Sequence, residues 1–263
     1  MSITIRESWT RKEADTDLNK IYNEDCIDGM TRLKAESIDL IVTDPPFAIE
    51  FKSKKANYNR KASNVIEGYQ DIEQKNYDWF TLNWMLEAGR VLKPDGSMYV
   101  VSGYNNLDII NNNLKQCGFT TQNHIIWKFQ FGVVTRNKFV TSHYHILFVT
   151  KHKTKYDFYP NSRFQDSDKT ETKGSARYKD MEDVWTIPRE YWTGEKKTPT
   201  KLPEALVEKI LSYSSKKGDT VLDPFLGSGT TAVVSKKMKR KYIGFEIVKE
   251  YYDFASNRLK SLK

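Results

Sequence analysis

The chain has 263 residues, enough for one large domain or for a core with an inserted region. Its 42 basic and 34 acidic residues give a formal net charge of +8, which suits a polyanionic partner without identifying one. No apolar run approaches the roughly 20 residues of a membrane helix, and the N-terminus lacks the apolar centre of a signal peptide. We therefore expect a cytoplasmic protein. Two distant cysteines and four histidines without a metal-ligand spacing predict neither a disulfide framework nor a metal site.

Short apolar runs bounded by turn residues recur along the chain and predict strands that are buried on both faces. In chain order these runs cover residues 38–43, 97–103, 143–151, 220–225 and 242–247. Between them, apolar residues at helical spacing predict helices. The helical segments cover residues 78–93, 106–118, 203–218, 229–241 and 249–263. The first should end at the turn signal "KPDG", and the third should begin at Pro203.

The alternation of strands and helices predicts an α/β fold, a doubly wound and mostly parallel sheet with helices on both faces. Residues 152–197 interrupt this alternation, because they are polar and show no sustained period. They still contain many aromatic residues, among them Phe158, Tyr159, Phe164, Tyr178, Trp185, Tyr191 and Trp192. Since linkers rarely carry so many aromatics, we expect a loop-rich insert in this region.

A glycine turn follows the predicted strand at 220–225. The sequence "TVLDPFLGSGTT" passes from that strand through Gly227 and Gly229 into a helix. Glycines let the backbone approach a ligand, and the helix start offers free N–H groups. Glu246 ends the next strand, where an acid can accept hydrogen bonds from both ribose hydroxyls. The alternative is a tight turn beside a solvated Glu246. Because no phosphate-binding Lys-Ser/Thr follows, the pattern favours a nucleoside cofactor without phosphate, such as S-adenosylmethionine (AdoMet).

The stretch "TDPPF" places an acid, two prolines and an aromatic ring at the end of the strand 38–43. In open α/β sheets, ligands bind beyond the carboxyl ends of the strands. The carboxylate of Asp44 and the carbonyl of Pro45 could together accept both hydrogens of an exocyclic amino group, which would free the nitrogen lone pair to attack an electrophile. Phe47 would stack on a base that has left the duplex. The alternative is that the prolines only end a strand and Phe47 belongs to the core.

"TDPPF" together with "DPFLGSGTT" resembles the amino-methylating DNA methyltransferases, which use AdoMet to modify adenine N6 or cytosine N4. The acid-Pro-Pro segment comes before the glycine turn, an order similar to that of the circularly permuted beta class with its Rossmann-like fold. The resemblance covers nearly the whole chain from about residue 20. It implies an N-terminal arm (1–19), a catalytic half (20–151), a target recognition insert (152–197) and an AdoMet-binding half (198–263).

The resemblance also implies the site residues. The catalytic ones are Asp44, Pro45, Pro46 and Phe47. The cofactor-binding ones are Asp25, Cys26, Thr200, Asp223, Pro224, Phe225, Gly227, Ser228, Gly229, Thr230, Glu246 and Ile247. The segment "TPTKLP" departs from the family pattern at Thr198, Lys201 and Leu202 but keeps Thr200. Phe47 replaces the commoner tyrosine, which preserves stacking and loses a hydroxyl.

An aspartate at the first position of the Pro-Pro segment resembles the adenine N6 enzymes more than the N4-cytosine group. We therefore expect a site-specific adenine methyltransferase of bacterial or phage type, acting near the nucleoid in restriction-modification, epigenetic marking or phage defence. The basic stretch 52–61 and Lys151, Lys153 and Lys155 should contact phosphates. N4-cytosine methylation, an RNA substrate and a catalytically silent DNA-binding subunit are the alternatives. The sequence leaves open a homodimer and a cognate restriction endonuclease.

Overall fold

The computed structural model of the protein describes residues 17–48, 72–130, 136–190 and 201–262. Its strands are β1 (Lys20–Tyr22), β2 (Ile38–Thr43), β3 (Leu92–Ser102), β4 (Thr120–Lys128), β5 (His143–Thr150), β6 (Val184–Thr186), β7 (Thr220–Asp223) and β8 (Lys241–Phe245). Its helices are α1 (Cys26–Thr31), α2 (Tyr77–Val91), α3 (Leu107–Gln116), α4 (Ala176–Asp180), α5 (Glu204–Ser214), α6 (Thr230–Lys237) and α7 (Lys249–Ser261).

The strands form one sheet in the order β1-β8-β7-β2-β3-β5-β4-β6. Neighbouring strands run parallel from β1 to β3, and β6 runs parallel to β4. Within the described ranges only β5 is antiparallel to its neighbours, β3 and β4. The predicted α/β fold with a mostly parallel sheet is therefore confirmed.

Side chains of the central strand β2 alternate between two hydrophobic clusters, one on each face of the sheet. Ile41 packs into a cluster with Met30 of α1 and Trp84 of α2. Leu40 packs into the other cluster, with Leu206 of α5 and Trp185 of β6. Because successive side chains of a strand point to opposite faces, a continuous apolar strand needs cover on both sides. The sheet is thus doubly wound, as the sequence predicts.

The sequence predicts a turn at the segment "KPDG", but in the structure this segment is part of strand β3. Strand β3 begins at Leu92, directly after α2, and its pairing with β2 shifts between Ile38↔Leu92 and Leu40↔Ser97. The intervening residues therefore form a wide bulge. A Cβ at Gly96 would lie 2.9 Å from the carbonyl oxygen of Asp39, so the bulge requires glycine there. Helix α5 also ends earlier than expected, because Ser215 is already extended (φ −157°).

The insert is folded where it is described, from 152 to 190. It contributes helix α4 and strand β6, which pairs with β4 at the sheet edge. Lys209 of α5, only 7% exposed, donates to the backbone carbonyl of Asp180. The Asp180 carboxylate accepts hydrogen bonds from Arg163 (2.8 Å) and Tyr213 (2.7 Å). These polar contacts fix the insert against α5, although the sequence predicts only loops here.

Within the described ranges, no helix is both long and apolar enough to cross a membrane.

Candidate active site

Three acids follow three adjacent parallel strands at one edge of the sheet. Asp44 comes directly after β2, Asp223 is the last residue of β7, and Glu246 comes directly after β8. Since β8, β7 and β2 are neighbours and run parallel, their carboxyl ends meet at this edge. This is where open α/β sheets bind their ligands. The structure thus brings together the two motifs that lie far apart in the sequence.

The Asp44 carboxyl is the group with the most unusual surroundings. Its Oδ1 atom is buried and has no hydrogen-bond partner among the described residues. Burial raises the pKa of Asp44 to about 7, the nearby Asp223 carboxyl adds to that rise, and Arg189 opposes it. A buried carboxylate oxygen without a partner costs stability, so native proteins seldom keep one without a functional reason. Such a group at the carboxyl ends of parallel strands makes Asp44 a candidate functional residue.

Asp223 is the second buried acid of this edge, with 3% of its surface exposed. Its Oδ1 accepts a hydrogen bond from the N–H of Phe225 at 3.1 Å. Burial raises the pKa of Asp223 to about 7, against the effect of the nearby Thr231 hydroxyl. That hydroxyl forms no hydrogen bond of ordinary geometry to any described residue. Asp44 and Asp223 are thus two buried acids with raised pKa values at the same edge of the sheet.

Asn106 holds the Pro-Pro segment (residues 44–47) from outside. Its Nδ2 donates to the backbone carbonyl of Phe47 at 2.7 Å. The side-chain amide of Asn106 also pairs reciprocally with that of Gln74, at 2.8 and 3.2 Å. Asn106 is 5% exposed, so these hydrogen bonds lie in a protected environment. The backbone after the two prolines is therefore fixed by the buried Asn106 amide, which pairs with the exposed Gln74, and the sequence analysis identified neither residue.

An aromatic wall, formed by Phe47, Trp127, Phe129 and Tyr144, lines one side of the edge. The ring of Phe47 meets Tyr144 edge-on, with centroids 5.6 Å apart, and Tyr144 lies 5.3 Å from Phe129. Arg189 stacks on this wall, with its guanidinium carbon 3.7 Å from the centroid of Phe129. Phe47 is half-buried, so part of its ring is available to a ligand.

The glycine turn (residues 227–229) is tied to Glu246. The N–H of Gly227 donates to Oε2 of Glu246 at 2.8 Å, and the N–H of Val248 donates to Oε1 at 2.8 Å. Gly227 has φ 52°, the left-handed region that favours glycine. Glu246 is 8% exposed, and burial raises its pKa. It is therefore not the solvated glutamate of the alternative reading, and each oxygen keeps a lone pair for a further donor.

Gly229 allows helices α6 and α7 to approach closely. It has φ 81°, and a Cβ there would lie 2.8 Å from the Cβ of Ala255. Replacing Gly229 with Ala should lower the free energy of unfolding by about 2–4 kcal/mol, because the left-handed backbone and the steric overlap both cost energy. Urea denaturation measures the change. The matched control is Gly174→Ala, whose Cβ would meet only Thr170, at 3.5 Å. Equal stability losses in the two variants would contradict the prediction.

Three of the predicted cofactor-binding residues, Asp25, Cys26 and Ile247, lie just beyond β1 and β8. Asp25 caps α1, accepting hydrogen bonds from the N–H groups of Ile27 (2.8 Å) and Asp28 (3.2 Å). Ile247 is 54% exposed, an unusual state for an isoleucine beside two buried strands. Asn23 connects the two loops by donating to the carbonyls of Glu246 and Ile247. Cys26 is buried, and burial raises its thiol pKa, so it contributes packing and no thiolate.

The remaining predicted residues have different outcomes. Thr200 and the basic stretch 52–61 lie outside the described residues. Lys201 forms an ion pair with Glu190 at 2.5 Å. Lys151 donates to the carbonyl of Leu92 and so is not a free surface cation. Ser228 and Thr230 are buried, and Arg258, which sequence reasoning missed, donates to both of them.

One edge of the mostly parallel sheet carries the glycine turn, the buried Glu246 and the acid-Pro-Pro-aromatic segment. This arrangement is typical of α/β proteins that bind a nucleoside cofactor, as methyltransferases do. The comparisons with known proteins agree. The DNA methylase family model matches residues 38–257. The chain is 33% identical to the type II methyltransferase M.HinfI of Haemophilus influenzae, over 94% of this chain and 69% of that protein. It is 34% identical to the type II methyltransferase M2.DpnII of Streptococcus pneumoniae, over 92% of this chain and 89% of that protein.

Solved structures show the same fold. The M1.HpyAVI-SAM complex has a TM-score of 0.64 at 26% identity and covers 91% of this chain and 98% of that one. The PvuII cytosine-N4-specific DNA methyltransferase has a TM-score of 0.68 at 20% identity, over 92% and 86% of the two chains, which supports the fold alone. The chain belongs to the DNA methylase family of amino-methylating DNA methyltransferases.

Proposed function

We propose that the protein methylates adenine N6 at a specific DNA sequence. The observation that carries the proposal is the buried Oδ1 of Asp44, which has no hydrogen-bond partner in the described part of the chain and lies near a half-buried aromatic ring. A carboxylate without a partner of its own can accept hydrogen bonds from an amino group that enters the site. The first position of the segment is aspartate, which resembles the adenine enzymes more than the cytosine ones. The methyl donor is S-adenosylmethionine, the cofactor of this family.

The residues of the Pro-Pro segment orient and activate the target amino group. The Asp44 carboxylate and the Pro45 carbonyl accept its two hydrogens, which draws the nitrogen lone pair out of conjugation with the base. The two prolines and the Asn106 hydrogen bond to Phe47 hold these acceptors in place before the base arrives, so little reorganisation is needed. Phe47 stacks on the flipped base, worth about 1–3 kcal/mol per base. AdoMet, when bound, supplies an electrophilic methyl group.

The residues for AdoMet lie around the glycine turn. Glu246 keeps free lone pairs on both carboxylate oxygens and would accept the hydrogens of the ribose hydroxyls. Asp25, Cys26 and Ile247 would border the adenine. The remaining described cofactor residues would line the turn, namely Asp223, Pro224, Phe225, Gly227, Ser228, Gly229 and Thr230. Thr200, which lies outside the described residues, stays a proposed cofactor contact. No residue of this set needs a metal to act.

Two parts of the chain are the proposed contacts with DNA: the insert and the basic residues. We propose that residues 152–197 read the target and that the stretch 52–61 contacts phosphates beside the flipped base. Homodimer formation, a cognate restriction endonuclease and a cytoplasmic location belong to the same proposal.

Expression of the protein in a methylation-free host and mapping of modified bases in its genomic DNA test the proposal. The expected result is N6-methyladenine at one short recurring sequence. N4-methylcytosine at such a sequence would show that the target base is cytosine, while methyl transfer to an exocyclic amino group would still hold. An unmodified genome, with the protein folded and abundant, would overturn the proposal in favour of a silent DNA-binding subunit.

Asn106 should set the rate of the reaction without contacting the cofactor. Replacing Asn106 with Leu removes the donor to the Phe47 carbonyl, and we expect methyl transfer to slow about tenfold to a hundredfold, because small misplacements of reacting groups are costly. Single-turnover methyl transfer measures the rate, and calorimetry should show unchanged AdoMet affinity. The control is Asn111→Leu in α3, the helix that follows Asn106, where the Asn111 side chain donates to the Leu107 carbonyl within the helix. A decrease of equal size in both variants would contradict the assignment.

A further inference from the structure

Arg189 lies at the junction between the insert and the proposed catalytic segment. It follows β6, and its backbone N–H donates to the side-chain carbonyl of Gln130 at 3.0 Å. Gln130 lies just beyond β4, the strand that pairs with β6. The position of Arg189 is therefore set by the pairing of the insert's edge strand with the core sheet.

The guanidinium of Arg189 is fixed by two aromatic rings. Its central carbon lies 3.7 Å from the centroid of Phe129 and 5.1 Å from that of Tyr144. Tyr144 in turn contacts the ring of Phe47. A guanidinium stacks well on aromatic faces and stays charged at any working pH. A permanent positive charge is thus anchored on the wall that borders the Pro-Pro segment.

The charged groups that act on Asp44 come from two directions among the described residues. Asp223, at the end of β7, disfavours its ionised form, and Arg189, after β6, favours it. Glu246, after β8, adds negative charge on the far side of Asp223. Among these described residues, Arg189 is the one that favours the ionised form of Asp44. A protonated Asp44 would lose an acceptor for the amino hydrogens.

We propose that Arg189 is a positioning residue for methyl transfer, and that its guanidinium, anchored on Phe129, keeps Asp44 in the ionised form that accepts the target amino group. The inference rests on the proposed function of Asp44. It also assigns the insert a second task, because Arg189 and the strand β6 that precedes it belong to the insert. Arg189 then links two properties of the protein: the packing of the insert on the core, and the charge of the Asp44 carboxylate.

The test compares Arg189→Gln, which removes the charge, with Arg189→Lys, which keeps it. The rate of single-turnover methyl transfer is measured from pH 6 to 9 at saturating AdoMet, on DNA that contains the mapped site. We expect Arg189→Gln to move the acidic limb of the profile up by about one pH unit, which slows transfer about fivefold at pH 7 and up to about tenfold at pH 6. Its rate should recover towards the native value at high pH, and Arg189→Lys should retain the native limb. The control is Arg177→Gln, whose guanidinium pairs with Asp166 inside the insert.

A rate loss that is equal at every pH would overturn the proposal, since it would reduce Arg189 to a packing role. So would an acidic limb that moves equally in Arg177→Gln. Infrared titration of the carboxyl groups decides the matter without catalysis, with Asp44→Asn and Asp223→Asn used to assign the bands. A higher titration midpoint for Asp44 in Arg189→Gln supports the proposal even if the native protein methylates no DNA, and an unchanged midpoint overturns it.

Discussion

Replacing Asp44 with Asn should abolish methyl transfer and at the same time stabilise the protein above pH 7. The asparagine keeps the shape of the side chain but presents one carbonyl oxygen and an NH₂ group that cannot accept the amino hydrogens. Loss of one preorganised hydrogen-bonding group in an active site lowers rates by about 10²–10³. AdoMet affinity should be retained, because the proposed ribose and adenine contacts lie beyond β8 and β1. Single-turnover methyl transfer and calorimetry measure the two quantities.

The stability change has a defined sign and pH window. Burial raises the pKa of Asp44 from its ordinary value of 3.8 to about 7, so the folded state binds this proton more tightly than the unfolded state. The stabilising effect of that proton is fully present below pH 4 and is lost as pH rises through 7. Asparagine has no charge to bury at high pH. The free energy of unfolding of Asp44→Asn should therefore be about 1–3 kcal/mol higher than that of the native protein at pH 8.

Denaturation curves at pH 4.5 and pH 8 check this result, with Asp28→Asn, an exposed residue of α1, as the control. The advantage of Asp44→Asn over the native protein should grow between the two pH values, whereas the control should show no such growth. An Asp44→Asn variant that is less stable than the native protein at pH 8 would show that the buried carboxylate is satisfied by a partner.

Replacing Glu246 with Gln should weaken AdoMet binding about a hundredfold. Each Glu246 oxygen accepts one backbone N–H, from Gly227 or Val248. A glutamine must turn its NH₂ group towards one of these donors, and it loses an acceptor for a ribose hydroxyl. Hydrogen bonds to charged groups contribute about 1.5–3 kcal/mol each, and every 1.4 kcal/mol is a factor of ten in affinity.

Calorimetric titration with AdoMet measures the change for Glu246→Gln. Glu250→Gln, an exposed acid in the first turn of α7, serves as the control and should bind AdoMet as the native protein does. Native affinity in Glu246→Gln would rule out Glu246 as the ribose acceptor and confine it to holding the glycine turn.

The sequence predicts the sheet and the two motifs well because their signals are local. An apolar run such as residues 38–43 has to be buried on both faces. Two glycines directly after a strand indicate a turn with left-handed backbone, a conformation that few other residues adopt. The bulge at "KPDG" is different, because those residues form a free turn or a bulge according to how β3 pairs with β2. That pairing depends on residues far away in the sequence, so the residues of the segment alone do not predict it.

The residues that complete the site were not predictable for the same reason. Asn106 is one of two adjacent asparagines after β3, and nothing local distinguishes it as the donor to Phe47. Arg189 lies in a polar insert about 145 residues from Asp44, and only the pairing of β6 with β4 brings it to the aromatic wall. A general signal does exist, since polar residues directly after parallel strands gather at one edge.

The most direct test of the central claim is the transfer of an isotopically labelled methyl group from AdoMet to DNA by the purified protein, followed by digestion to nucleosides. The native protein should place the label in N6-methyladenine, and Asp44→Asn should transfer none while it still binds AdoMet. Label in a cytosine nucleoside would contradict the adenine assignment. Equal transfer by the native protein and by Asp44→Asn would contradict the role of the Pro-Pro segment itself.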